Sequence, residues 1–296
     1  MGQPTEPRKG IALGLMAYGM WGCFPLFFAL FQGIGAGEIL VHRILWSCVF
    51  LALVITVLRR WSAVRSALTS PLRLWRVLGC AVLIAVNWGL YIYSVETHRV
   101  LQASLGYFMT PLVNVALGML VLKETLSRAQ AIAVALAGAG IALQLALLGT
   151  LPWISLVLAL SFGTYGLLRK QVELDGLSGL FVETLLLAPI ALAALTWLVG
   201  DGLSHFLQDS RSTALLVASG VITAIPLLAF AGAARRLSLG TLGFLMYINP
   251  TLQFFIALWI FGEPLDPVRF ATFVLIWLGL ALYSFSTWRR RPSTAG

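Results

Sequence analysis

The sequence predicts an all-α membrane protein whose ten transmembrane helices form two inverted five-helix repeats. Three observations carry this. Long apolar segments follow one another from end to end, Lys and Arg gather in alternate gaps between them, and short motifs of the first half return in the second. Of the 296 residues, 59% are hydrophobic and only 10% are charged, and the mean hydropathy is +0.92. A water-soluble domain carries about a quarter charged residues. A chain of this composition cannot clothe itself in polar surface, so its solvent is lipid.

A bilayer core about 30 Å thick takes roughly 20 apolar helical residues per crossing. Ten such segments run over 11–32, 37–58, 77–97, 101–122, 128–148, 151–168, 177–199, 212–232, 240–261 and 267–288. The first is too long for a signal-peptide core and lacks a small-residue cleavage site, so it is expected to remain as the first span. The second carries Glu38 and His42-Arg43, the third Asn87-Trp88 and Tyr91, and the fourth Tyr107, Pro111 and Asn114. Before the fifth stands Ser127, and before the tenth Asp266, both good helix caps, with Pro267 suited to a first turn. The sixth carries Tyr165, the seventh Glu183, and the ninth Tyr247, Asn249, Pro250 and Gln253. Cys23, Cys48 and Cys80 fall in separate segments without a CxxC pair and read as buried small hydrophobes.

Charge fixes the orientation, because short cytoplasmic loops retain Lys and Arg. With the N-terminus inside, sixteen of the 20 basic residues are cytoplasmic, including Arg59 to Arg76 and Arg289 to Arg291. Arg99, Arg211 and Arg269 face the other side, and Arg43 lies within a span. Both termini are therefore expected in the cytoplasm. The net charge of +9 belongs to membrane-flanking loops and not to a nucleic-acid surface.

The repeat is imperfect but in register. Ala17-Tyr18-Gly19-Met20-Trp21-Gly22 returns as Ser161-Phe162-Gly163-Thr164-Tyr165-Gly166, and Ser104-Leu105-Gly106-Tyr107 as Thr241-Leu242-Gly243-Phe244. Pro111 precedes Glu124 by 13 residues, as Pro250 precedes Glu263. The first repeat covers 1–148 and the second 149–288, with a cytoplasmic basic tail over 289–296. Five spans per half insert the copies in opposite directions, an architecture of secondary transporters that work by alternating access.

Tyr18 to Gly22, Glu38 with His42-Arg43, Asn87-Trp88, Ala103 to Phe108, Pro111-Leu112-Val113-Asn114, Leu180 to Leu185 around Glu183, and Thr241-Leu242-Gly243-Phe244 with Tyr247 resemble the drug/metabolite transporter superfamily with EamA-type repeats. Within it the chain is similar to the RarD subfamily, named for an association with chloramphenicol sensitivity. Lys123-Glu124 stands where the pattern favours Gly-Glu, as in Gly262-Glu263. The resemblance implies a carrier of small organic solutes in the bacterial cytoplasmic (inner) membrane. It also implies that the first, third, fourth, sixth and ninth spans surround a central cavity.

Polar groups at membrane depth are costly and are functional candidates by default. The substrate-binding set is Tyr18, Trp21, Asn87, Trp88, Tyr91, Tyr107, Asn114, Tyr165, Glu183, Tyr247, Asn249 and Gln253. Aromatic faces with a few amides suit an uncharged or amphipathic solute. Glu183, His42 and Arg43 form an ionic set for coupling or structure. Glu183 lies roughly 10 Å along its helix, and a bare carboxylate there calls for a matched cation or a proton. Arg169 and Lys170 are assigned to the cytoplasmic end of their span, which leaves Glu183 without a cation at its own level and opens a role in proton coupling or in binding a cationic group on the solute. Glu38 can pair with His42 at i, i+4, and Glu96 is the expected partner of Arg43. Pro111 and Pro250 lie mid-span, where they can permit bending.

The expected partners are a small-molecule solute and the lipid bilayer, the oligomeric state standing open between monomer and dimer. Neither cofactor nor metal is expected, since there is no phosphate loop and no HExxH run. A membrane-embedded enzyme would need a cluster of acids, His or metal ligands at one interface. The chain has 3 His on separate segments. A non-transporting sensor is the other alternative. An impermeant thiol reagent applied from outside is expected to label single cysteines placed near residues 150 and 205 and to spare one at 65. The reverse pattern would overturn the orientation.

Overall fold

The computed structural model describes residues 7–123, 127–172, 174–234, 236–237 and 239–289. The run at Glu124-Thr125-Leu126, Arg235 and the end of the basic tail lie outside them. Among the described residues all regular structure is helical. In order the helices are α1 (Pro7–Gly22), α2 (Phe24–Phe28), α3 (Ala36–Val57), α4 (Trp61–Thr69), α5 (Pro71–Glu96), α6 (Val100–Leu122) and α7 (Arg128–Leu148). The rest are α8 (Trp153–Lys170), α9 (Gly176–Gly200), α10 (Ser210–Ala234), α11 (Leu239–Met246), α12 (Ile248–Phe255) and α13 (Pro267–Arg289). Lipid leaves the backbone no outside partner, so apolar segments of this length close their hydrogen bonds within themselves.

Among the described residues seven helices, α3, α5, α6, α7, α9, α10 and α13, are long and apolar enough to cross a membrane. Their outer surface is what lipid requires: Leu53, Leu147, Ile190, Trp197 and Leu278 are all more than half exposed. The chain is a multi-pass membrane protein.

Two apolar segments expected as single helices are broken. In the first, α1 stops at Gly22, the Cys23 amide turns back to Gly19 and Met20, and Pro25 sits in the opening turn of α2. A proline lacks the N–H that would carry the previous helix forward. Cys23, read as buried, is exposed at this break. In the ninth, Pro250 has the same effect near the start of α12, and α12 continues as a π-turn over Ile256–Ile260. Pro111, its counterpart in sequence, is absorbed within continuous α6.

Lys123 has φ +55 and Gly262 φ +63, so both turns after the repeated proline helix pass through the left-handed region. That conformation is free for glycine and strained for lysine, which explains the physical preference for Gly-Glu there. The helix α4 is an addition to the expected spans. It buries Val64 and Ala67, sets Trp61 edge-on to Phe181 at 5.5 Å, and leaves Arg65 exposed.

The principal packing pairs are α7 with α13, α6 with α8, α3 with α10 and α9, α1 with α10 and α12, α5 with α8 and α9, and α6 with α12. Small residues allow the closest of these. A Cβ on Gly220 in α10 would stand 2.3 Å from the Trp46 carbonyl carbon and 2.4 Å from the Ser47 nitrogen of α3. These are backbone atoms and cannot yield. Gly220→Ala is therefore expected to destabilise the protein by about 3 kcal/mol or more, at the upper end of overpacking. Gly19→Ala, with open space around it, is expected to be neutral or stabilising. Thermal unfolding in detergent compares them, and equal melting would show that α3 and α10 do not meet there.

Candidate functional site

Arg43 defines the first part of the site. It lies on α3 with 3% of its surface exposed, and its Nε donates to Thr223 Oγ1 of α10 at 2.8 Å. Thr223 in turn donates to the Ser219 carbonyl, and Ser47 to the Gly220 carbonyl, so the close crossing at Gly220 is what presents Thr223 to the guanidinium. The guanidinium carbon stands 4.2 Å from the Trp88 ring centre, 5.4 Å from Phe28 and 5.6 Å from Phe24. Tyr91 meets Phe28 edge to face at 6.0 Å and stands 5.9 Å from Tyr107.

From there a polar and aromatic track runs through the protein. Tyr107 donates its hydroxyl to Asn87 Oδ1 at 3.1 Å, while Asn87 Nδ2 donates to the Leu158 carbonyl and to Ser161 Oγ. Phe162 stacks on Tyr165, whose hydroxyl donates to Glu183 Oε2 at 3.2 Å. Arg43, Asn87, Trp88, Tyr91, Tyr107, Tyr165 and Glu183 are thus brought together across α3, α5, α6, α8 and α9.

Glu183 does have a cation at its level. Arg169 Nε lies 3.5 Å from Glu183 Oε1, and Nη2 donates to the Leu174 and Asp175 carbonyls. Arg169 stands at the end of its span, as its place in the sequence predicts, but its long side chain turns back over the next helix. Gly179, one turn before Glu183, provides the room: a Cβ there would stand 1.8 Å from Arg169 Nη2. Asp175 starts this helix by accepting from the Leu177 and Ser178 amides and pairs with Arg60 at 3.2 Å. Partial burial works against its charge, but these hydrogen bonds and Arg60 hold its carboxyl below the usual range.

A second group forms between α1, α10 and α12. Tyr18 and Trp21 meet edge to face at 5.5 Å, and each meets Phe230 at 5.9 Å. Gln253 Nε2 donates to Asn249 Oδ1 at 2.7 Å and to the Trp21 carbonyl at 3.5 Å, leaving its own Oε1 buried without a partner. Tyr247 stands at the break before α12, and Asn114 is exposed beside Gly163, so neither joins a group.

Three acids take partners that sequence spacing does not reveal. Glu38 does not turn to His42. Its carboxylate accepts from Ser204 Oγ and the His205 amide, and faces His205 Nδ1 at 2.8 Å. His42 accepts from Trp46 Nε1 and packs on Phe206. Glu96 does not reach Arg43 and accepts instead from the Ala36 amide, capping α3. Glu263 accepts from the Val100 and Leu101 amides at 2.6 and 2.8 Å, capping α6. Burial pushes its carboxyl up, and those two amides pull against that rise. Glu263 also lines a cavity of about 440 Å³ with Arg99, Gln102, Gln144, Trp153 and Arg269, away from every residue of the predicted set.

The model of the EamA-like transporter family matches residues 8–146. An uncharacterised transporter of Pseudomonas aeruginosa is 47% identical, over 95% of each chain. Protein RarD of Salmonella typhi is 44% identical, over 94% of this chain and 95% of its own. The chain belongs to the EamA-like family, in its RarD branch. A solved crystal structure shares the fold, with a TM-score of 0.60 and 15% identity, covering 96% of this chain and 99% of that one.

In the EamA-like frame, Arg169 and Glu183 form a buried pair within a transporter interior. Removing one member leaves a bare charge, which costs about 3–5 kcal/mol. Arg169→Met alone is expected to lose that much, and Glu183→Gln in the same chain to recover a large part of it. A double-mutant cycle on melting temperature reads the coupling. Strictly additive losses would show that the two side chains act independently.

Proposed function

We propose that the protein is a secondary transporter that moves a small organic solute across the bacterial cytoplasmic membrane by alternating access. On this reading ten crossings form two inverted repeats, 1–148 and 149–288, and both termini are cytoplasmic. The observation that carries it is the pattern of helix packing. Let α1 correspond to α8, α3 to α9, α5 to α10, α6 to α11–α12, and α7 to α13. Exchanging the halves then maps the packing pairs onto one another. The contact of α1 with α10 becomes α8 with α5, α3 with α10 becomes α9 with α5, and α6 with α8 becomes α12 with α1. The pairs α3–α9, α6–α12 and α7–α13 map onto themselves. Transporter names among the relatives point the same way, and basic residues on the loops set the orientation.

Contacts between the halves lie at both ends of the bundle. At one end Glu38 holds Ser204 and His205, and Glu263 holds the start of α6. At the other, Arg60 holds Asp175, and Arg76 donates to the Gln171 carbonyl at 3.1 Å. Alternating access requires one set to open while the other stays closed. The Asn87–Tyr107–Tyr165 track lies between them and is the proposed solute path.

In proteoliposomes, Asn87→Ala, Tyr107→Ala and Tyr165→Ala are each expected to cut solute counterflow about tenfold, the weight of a lost hydrogen bond to a polar ligand. Folded yield should be retained. Unchanged affinity in all three removes this path, and no counterflow of any solute removes the transporter reading in favour of a sensor. A second reading, proton coupling through Glu183, is favoured by its buried Oε1, which has no hydrogen-bond partner. Glu183→Gln distinguishes it: a flattened pH profile of transport supports coupling, and an unchanged one assigns Glu183 to the ion pair with Arg169.

A further inference from the structure

Buried charges elsewhere in the described interior are matched. Glu38 has Ser204 and His205, Glu183 has Arg169, and Glu263 has the amides that open α6. Arg43 is different. Among the described residues no carboxylate lies within 4 Å of it, its Nη1 is buried without a hydrogen-bond partner, and its Nε donates to the neutral hydroxyl of Thr223. An arginine cannot shed its proton to escape burial. Stacking on aromatic faces returns about 0.5–2 kcal/mol, whereas desolvating an ion costs several. A positive charge is left over.

The groups around it describe what would complete it. The Tyr91 hydroxyl is likewise buried without a partner, and the Tyr91 ring stands 6.0 Å from that of Phe28, one of the rings beneath the guanidinium. A carboxylate or phosphate accepts from a guanidinium fork and has lone pairs left for such hydroxyls. Phe24, Phe28 and Trp88 form the remaining walls. Rings cannot replace the hydration shell of a small inorganic ion, but they suit the apolar body of an organic one.

We propose that Arg43 docks an anionic group of the transported solute, with Tyr91 donating to the same group, so that the protein carries small organic anions. This rests on the transporter reading above and narrows its substrate class. Arg43 would hold the solute in the occluded state, and opening of either end would release it.

The test uses purified wild-type protein in detergent and a panel of acids: benzoate, 3-phenylpropionate, 1-naphthoate, succinate and phenyl phosphate. Each is run beside its neutral amide or alcohol, with sodium chloride and inorganic phosphate as controls. A ligand that binds the native state raises the melting temperature by mass action. At least one acid is expected to do so while its neutral mate does not. Arg43→Gln should abolish the preference, and Tyr91→Phe, which keeps the cation, should weaken that acid about tenfold, as for a hydrogen bond to a charged group. Should Arg43→Gln fail to fold, the acid-against-amide comparison and Tyr91→Phe still decide. The proposal falls if no acid exceeds its neutral mate, if Arg43→Gln keeps the preference, if Tyr91→Phe binds the acid as tightly as the parent, or if chloride or inorganic phosphate alone reproduces the shift. Counterflow in proteoliposomes separates the two readings. Exchange of neutral solutes without acid preference leaves the transporter and sinks the anion site, and Arg43-dependent binding without exchange does the reverse.

Discussion

Helix α3 carries Glu38, His42 and Arg43 into the interior within six residues, and much of the surrounding structure is arranged around them. Lipid supplies no counter-charge and no water, so each must find its partner inside. Glu38 draws in the 204–205 segment between α9 and α10, and His42 receives Trp46 and packs on Phe206 from the same segment. Arg43 requires α10 itself, because only Thr223 reaches its Nε. The glycine at 220 is therefore more than a packing detail. Without the close crossing it allows, α10 would stand off and the guanidinium would lose its hydroxyl.

The apolar segments were legible because their length and composition alone demand helices in lipid. Predicted ends of 37–58 and 128–148 fall within a residue of α3 and α7. What escaped was anything set by a single proline or by a side chain reaching across the fold. The breaks before α2 and α12 follow from Pro25 and Pro250, yet Pro111 in an equivalent sequence setting leaves α6 whole. Helix α4 is short and amphipathic between arginines, so hydropathy passes over it. Glu263 caps a helix 163 residues earlier in the chain, a pairing that no local pattern encodes.

The candidate site shows the same division. Residue types picked out the aromatic and amide side chains, and most of them do converge. Their separation into a track around Asn87 and a cluster around Gln253 depends on which helices meet. The pairing of Arg169 is not legible from sequence because a residue's position on its helix is not the position of its charge. A guanidinium several bonds from the backbone reaches back a turn wherever a residue such as Gly179 leaves space.

The inverted-repeat reading also gives the unmatched charge a structural origin. Arg43 is the eighth residue of α3 and Glu183 the eighth of α9, so corresponding positions of the two halves carry opposite charges. In the second half, α8 supplies Arg169 to neutralise Glu183. The motif match that aligns Trp21 with Tyr165 aligns Pro25 with Arg169. Where the second half has a counter-ion, the first has the broken stretch of α2, which offers Phe24 and Phe28 to Arg43 in place of a carboxylate. The same proline that interrupts the first span thus occupies the slot where a counter-charge would stand. One half closes its charge internally, and the other holds a cation in an aromatic setting with a donor still free. On the proposed function, an asymmetry of this kind would leave only one of two equivalent positions for a ligand to complete.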